Sequence, residues 1–349
     1  MKPISQMRRR QAGLSLLELM IAITIGLFLL VGLVSVFATS NRNYLELSRS
    51  QQQIENGRFA TTLLSDDVGL AGYYGQYPIS VAVPGAMPDP CEAANMANLR
   101  AAMGMPLQGY NNPAHPLPAP ISGCIADANH VEGTDILVVR RADSKVTALG
   151  SLTAADVYMQ SNAANNDPAN PVIATGTAAN FTLLDRLAVN PAPARKYHVH
   201  VYFIAPCSIP NGGGSTCTGA NDDGGNPVQT LKRLELSVDP ADNTLKMRTV
   251  SLVEGIENFQ VDYGVDTDGD GVLDGAYTQA PATIVDWTNV VAVRLNVLAR
   301  NIEPSNAADP KVYDMGLFGN EYAPGGNYKR HVYNAAVRLV NPSARRETP

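Results

Sequence analysis

Charge is scarce in this 349-residue chain. Asp, Glu, Lys and Arg make up 17% of it, against roughly a quarter in an average soluble domain. Charge-driven disorder is excluded, because 45% of the residues are hydrophobic and can build a core. A basic excess is missing too: 26 Lys and Arg face 32 Asp and Glu, a formal −6, with no basic run after Arg8–Arg10. Nucleic acid is therefore not an expected partner. The chain has no G-x-S-x-G, no H-E-x-x-H and, in its glycine-rich stretch 211–225, no Walker lysine, so no catalytic constellation is found and no enzyme is expected. That stretch reads as a mobile surface loop. His198 and His200 share one strand face without a third ligand and read as ordinary strand residues rather than a zinc site.

What the averages hide is the N-terminus. Residues 1–13 hold Lys2, Arg8, Arg9 and Arg10 and no acid, and from Leu19 to Ala38 nothing is more polar than Thr24 or Ser35. About 20 such residues at 1.5 Å rise span the roughly 30 Å bilayer core. Positive charge before the run orients the N-terminus to the cytoplasm and the rest outside. A signal peptide cut after Val36-Phe37-Ala38 and a plain anchor are competing readings. Neither accounts for Glu18, an acid costing about 2.5–3.5 kcal/mol within a membrane helix unless it is partnered.

Gly13-Leu14-Ser15-Leu16-Leu17-Glu18, behind a basic leader and ahead of a long apolar helix, resembles the class III leader of type IV pilins and type II secretion pseudopilins. The resemblance implies cleavage after Gly13 by a prepilin peptidase, methylation of the new amino terminus at Leu14, and a docking role for Glu18 against a neighbouring subunit's ammonium. Glu55-Asn56 with Gly57 to Gly75 is similar to the stretch that follows the membrane helix in the PilW family of minor pilins. Segments 289–300 and 331–341 resemble the closing strands of PilW-like and pseudopilin J-like proteins, leaving residues 76–230 unmatched.

The organisation expected is a leader at 1–13, a helix at 14–72 with 14–39 in the membrane or pilus core, and an exported β-rich domain at 73–349. Leu47, Ile54, Thr61 and Val68 recur every seven residues, with Tyr44 and Leu64 beside them, predicting the buried stripe of a single helix that ends near Gly69 and Gly72; two separate helices are the alternative. Nine of the 24 prolines fall in 78–120, predicting a long loop region with a short helix in 92–103. Strands are expected at 135–140, 197–205, 230–238, 244–252, 258–265, 289–299 and 332–340. The fold class is α+β, pilin-like: a long hydrophobic helix packed on an antiparallel sheet with long loops. Tyr73, Tyr74 and Tyr77 are expected to pack the helix end against the sheet.

Four cysteines in an exported domain favour two disulfides, with the sequential pairs Cys91–Cys124 and Cys207–Cys217 closing the smallest loops. Asp266, Asp268, Asp270 and Asp274, with Gly271 for the turn and the Val272 carbonyl, follow a calcium-loop pattern, but position 12 is Tyr277 instead of Glu. A weak calcium site in a hairpin is expected, with a solvated turn as the alternative. The function expected is that of a minor pilin in a priming or tip complex with other minor pilins and the major pilin. It would be held in the inner membrane with its C-terminal domain in the periplasm, then assembled into an extracellular pilus. A secretion pseudopilin and a membrane-anchored, calcium-dependent adhesin or binding module are the alternatives.

Overall fold

A computed structural model describes residues 13, 15–77, 82–93, 95–163, 169–239, 241–319 and 321–347. The elements are α1 (Leu16–Gly69), α2 (Met96–Ala101), β1 (Leu107–Tyr110), β2 (Ile136–Ala142), β3 (Val157–Gln160), β4 (Val172–Thr175), β5 (Ala194–Ala205), β6 (Thr230–Val238), β7 (Leu245–Glu254), β8 (Ile256–Val265), α3 (Ile284–Thr288), β9 (Val290–Arg300), β10 (Arg330–Arg338) and α4 (Val340–Arg346). The chain is thus α+β, with a long apolar N-terminal helix and antiparallel sheets. It divides into two units, residues 1–50 and 51–349.

In the first unit, α1 carries the apolar run without a proline, and every described residue from 15 to 40 is exposed. A surface of this size is not stable in water, whereas a bilayer solvates it. Its two threonine hydroxyls are satisfied within the helix: Thr24 Oγ1 donates to Ile21 O at 3.1 Å and Thr39 Oγ1 to Ser35 O at 2.9 Å. A lipid environment demands that economy.

In the second unit, α1 buries Gln53, Gly57, Ala60, Leu64, Asp67 and Val68. This departs from the heptad expected above: Val68 is buried, but Ile54 is 48% exposed and Leu47, in the first unit, 58%. The reason is steric and polar. A Cβ on Gly57 would lie 2.1 Å from the Tyr333 ring, so only glycine lets the helix come this close to β10. Gln53 Nε2 donates to Ala299 O at 3.0 Å, satisfying a polar group on the buried face.

All strand pairs are antiparallel. β8, β9 and β10 form a three-stranded sheet in the order β10-β9-β8, whose Phe259, Val261, Val293, Leu295 and Val297 pack with Ala60, Leu64 and Val68 of the helix. Burying Leu64 alone contributes about 1.5–3 kcal/mol. In the seven-stranded sheet the long β5 pairs with β2 over Tyr197–Tyr202, with β6 over His200–Ala205 and with β3 over Ala194–Lys196. This sheet is covered on both faces: Leu137, Val139, Tyr202 and Ile204 join the helix core. Ile136, Val138, Tyr197, Val199 and Phe203 join a second core with Tyr74, Met103, Ile121 and Ile125. Tyr74 is fully buried and its hydroxyl donates to Met103 O at 3.0 Å.

α1 stops where Gly72 takes φ +71°, the left-handed conformation that favours glycine. The carbonyls beyond the helix end are taken by α4: Asn341 Nδ2 donates to Ala71 O at 3.3 Å and Arg345 to Gly72 O. The C-terminal helix therefore caps the long one.

Two segments are more ordered than their composition implies. The proline-rich stretch contains α2 and β1 and buries Leu99, Met103, Met105, Leu107 and Leu117; β1 fits between Pro106 and Pro113 because no proline interrupts its ladder. The stretch 211–225, expected to be a mobile loop, is instead internally bonded. The buried Asp222 accepts from the backbone of Asn211, Thr218 and Gly219, and Asp223 accepts from Ser208 and Val228.

Candidate functional site

At the start of the helix, Gly13 is exposed and a Cβ there would meet nothing within 4 Å. Leu14 and the basic leader residues lie outside the described residues. Ser15 Oγ accepts the Glu18 N–H at 3.2 Å, and the Glu18 carboxylate accepts the Ser15 N–H at 3.0 Å. This reciprocal pair is a capping box. It gives the acid, placed at the positive end of the helix dipole, a partner in its own chain.

The four cysteines form two disulfides, Cys91–Cys124 and Cys207–Cys217, closing sequence separations of 33 and 10. The first staples the proline-rich stretch and the second the Asp222 loop.

After β8 the chain enters the aspartate loop, which returns to the strand where Asp274 N–H donates to Val265 O at 3.0 Å and Tyr263 pairs with Thr278. Asp266 is fully buried: its carboxylate accepts from Gly269 N–H at 2.6 Å, Gly271 N–H at 2.9 Å and Arg346 Nε. Burial alone raises the pKa of this group, but the hydrogen bonds from Gly269, Arg346 and Gly271 outweigh it and hold the carboxyl ionised below its ordinary range. Asp274 Oδ2 accepts from Thr267 N–H, Thr267 Oγ1 and Asp268 N–H at 2.7–3.1 Å. The carboxylates of Asp266, Asp268 and Asp274 come within 4.8 Å of one another. Asp270 stands apart from that trio, accepting the Val272 N–H at 2.8 Å. Hard oxygen ligands so gathered suit a calcium ion, yet one member is already paired with a guanidinium from α4.

Sequence reading missed Asp67. This residue is 5% exposed, and it joins α1 to the large sheet by accepting from Arg141 Nε at 2.6 Å, His200 Nδ1 at 2.8 Å and Tyr202 Oη at 2.8 Å. Burial would raise its pKa, but His200 and Arg141 pull the carboxyl far below the usual carboxylate range. His198 lies beside Asp143 at 3.6 Å, its ring 5.0 Å from that of His200. The two histidines thus serve separate carboxylates. The only signal in the sequence was the alternation His198, His200, Tyr202 opposite a helical Asp.

Two family models match the chain. Residues 218–341 match Type IV Pilus-assembly protein W, PilW, and residues 8–34 match the Prokaryotic N-terminal methylation motif. No curated protein and no solved structure matches. The PilW match spans β6 to β10 and enters α4, whereas Gly57 to Gly75 lies outside both matches. The methylation motif holds Gly13, Glu18 and the first part of the apolar run. The chain is thus PilW-like over residues 218–341 and carries at its N-terminus the methylation motif of a class III leader.

Proposed function

We propose that this PilW-like chain is a structural subunit that joins other minor pilins in a priming or tip complex, beside the major pilin. The observation that carries the reading is the coincidence, in one chain, of the methylation motif with a helix of 54 residues whose apolar start is exposed throughout. In this reading the helix waits in the inner membrane with the second unit in the periplasm. A prepilin peptidase cuts after the open Gly13 and methylates Leu14. Glu18, already held at the helix start, pairs with the ammonium of a neighbouring subunit, an exchange that a low dielectric strengthens. Gly13→Val blocks processing and extraction from the membrane in this account; unchanged processing contradicts it.

We further propose that the loop of Asp266, Asp268, Asp270, the Val272 carbonyl and Asp274 binds calcium weakly, in competition with Arg346 for Asp266. The grouping of three carboxylates supports this reading, and the lost position-12 glutamate, replaced by Tyr277, sets its weakness. Calorimetric titration of the purified protein with calcium chloride, beside an Asp268→Ala/Asp270→Ala variant, tests it. Heat that disappears in the variant supports the site. No heat in the wild type removes it.

A further inference from the structure

The three-stranded sheet has two edges, and only one is closed. On the β8 side Asp135 N–H donates to Phe259 O at 2.9 Å, and Val261 N–H donates to the Asp135 carboxylate at 2.8 Å. On the other side β10 pairs with β9 over its whole length, from Arg330 opposite Arg300 to Arg338 opposite Ala292, without a register shift. No described strand lies beyond it.

Devices that commonly blunt an edge are missing from β10. Between His331 and Val337 there is no proline, glycine, lysine or acid, and no bulge. One edge of the larger sheet differs: β7 carries Lys246, Arg248 and Glu254, and its ladder with β6 slips between Leu231 and Lys232. An open, regular edge offers a row of backbone N–H and C=O groups that another extended chain can take up.

Charge narrows the choice of chain. Lys311, with Gln53, Ile54, His331 and Tyr333, lines a cavity of about 520 Å³ at the start of β10. Arg58 of α1 directly follows Gly57, which lies against the Tyr333 ring. Both cations are exposed, and neither forms an ion pair among the described residues. Of the nearby acids, Glu257 and Asp309 are bound to Arg330, at 2.5 and 3.2 Å, while Glu55 is exposed on α1 and lines a neighbouring cavity with Arg58, leaving Lys311 as the cation beside the strand with no acid on it. A second copy is a poor occupant, because its own β10 edge offers no acid between His331 and Val337 to meet the Arg58 and Lys311 cations and carries the same cations itself.

We propose that the β10 edge accepts an extended, acidic segment of another protein as an added strand, with one side chain of that segment seated in the cavity beside Lys311 and Tyr333. This does not rest on the pilus reading, and an unprocessed N-terminus leaves it intact. The probes are two synthetic peptides sharing a nine-residue Thr/Val core, one flanked by glutamates and one by lysines, added to the full chain in detergent micelles. The glutamate-flanked peptide is expected to bind at least about tenfold more tightly and to slow amide exchange within residues 331–338. Arg58→Glu/Lys311→Glu is expected to remove that preference with the melting temperature unchanged, since both sites are exposed. Equal affinity for the two peptides, binding of neither, or protection elsewhere overturns the proposal. Protection of 331–338 that grows with protein concentration alone also overturns it, by identifying a second copy as the occupant.

Discussion

Asp67 of α1 and His200 of β5 meet at 2.8 Å, although 133 residues separate them. With Arg141 and Tyr202 on the same carboxylate, they tie the long helix to the centre of the seven-stranded sheet. Removing one partner of a buried pair leaves the others uncompensated, so Asp67→Asn is expected to cost about 3–5 kcal/mol. The adjacent, exposed Asp66→Asn should change stability by no more than about 0.5 kcal/mol. Urea denaturation of the two variants checks the contrast, and equal effects contradict the assignment.

A second prediction concerns acid. Burial pulls His198 down to about 4, helped by the charges of His200 and Arg141, and pulls His130 down to about 4 as well. Both imidazoles are then neutral in the folded chain at pH 6, while unfolded histidine titrates near 6.5. The unfolded state binds more protons, so their contribution is full above about pH 6.5 and is lost as pH falls towards 4. Asp135, pushed up to about 7 by burial, acts in the opposite sense: its contribution is complete below about pH 4 and is lost as pH rises to 7. NMR titration of the imidazoles reads the histidines directly, with midpoints near 4 expected and midpoints near 6.5 contradicting the account.

Gly57 supplies a third. Gly57→Leu places its side chain in the Tyr333 ring and is expected to cost about 1–3 kcal/mol by overpacking. Tyr333→Ala in the same chain opens the space and should recover part of that loss. A purely additive double variant contradicts the close approach as the cause.

The Cys207–Cys217 bridge supplies a fourth. It closes a separation of 10 residues, so Cys207→Ser/Cys217→Ser is expected to cost about 2–3 kcal/mol. The Asp222 carboxylate still holds part of the loop backbone, but without the staple the loop opens more often, and limited proteolysis should then cut first within 211–225. Unchanged stability and proteolysis contradict a stapling role.

Periodicity made much of this fold legible. The apolar N-terminal run and the long strands β2, β5, β6, β8, β9 and β10 stand out because each repeats one type of side chain over many residues. β1, β3 and β4 have four residues each, too few for a pattern, and depend on neighbours distant in sequence. The buried face of α1 was misplaced by about one residue for a related reason. Gln53, Gly57 and Asp67 are not apolar, and they occupy that face because Ala299, Tyr333 and His200 await them there. The aspartate loop was visible as a motif, but Arg346 at Asp266 was not, since its pairing depends on where α4 folds back.

The most direct test of the central claim is intact and N-terminal mass spectrometry of the protein from its native membrane. A chain that begins with a methylated Leu14 is the result expected of a processed minor pilin. A chain that begins near Thr39, cut as an ordinary secretory protein, contradicts it.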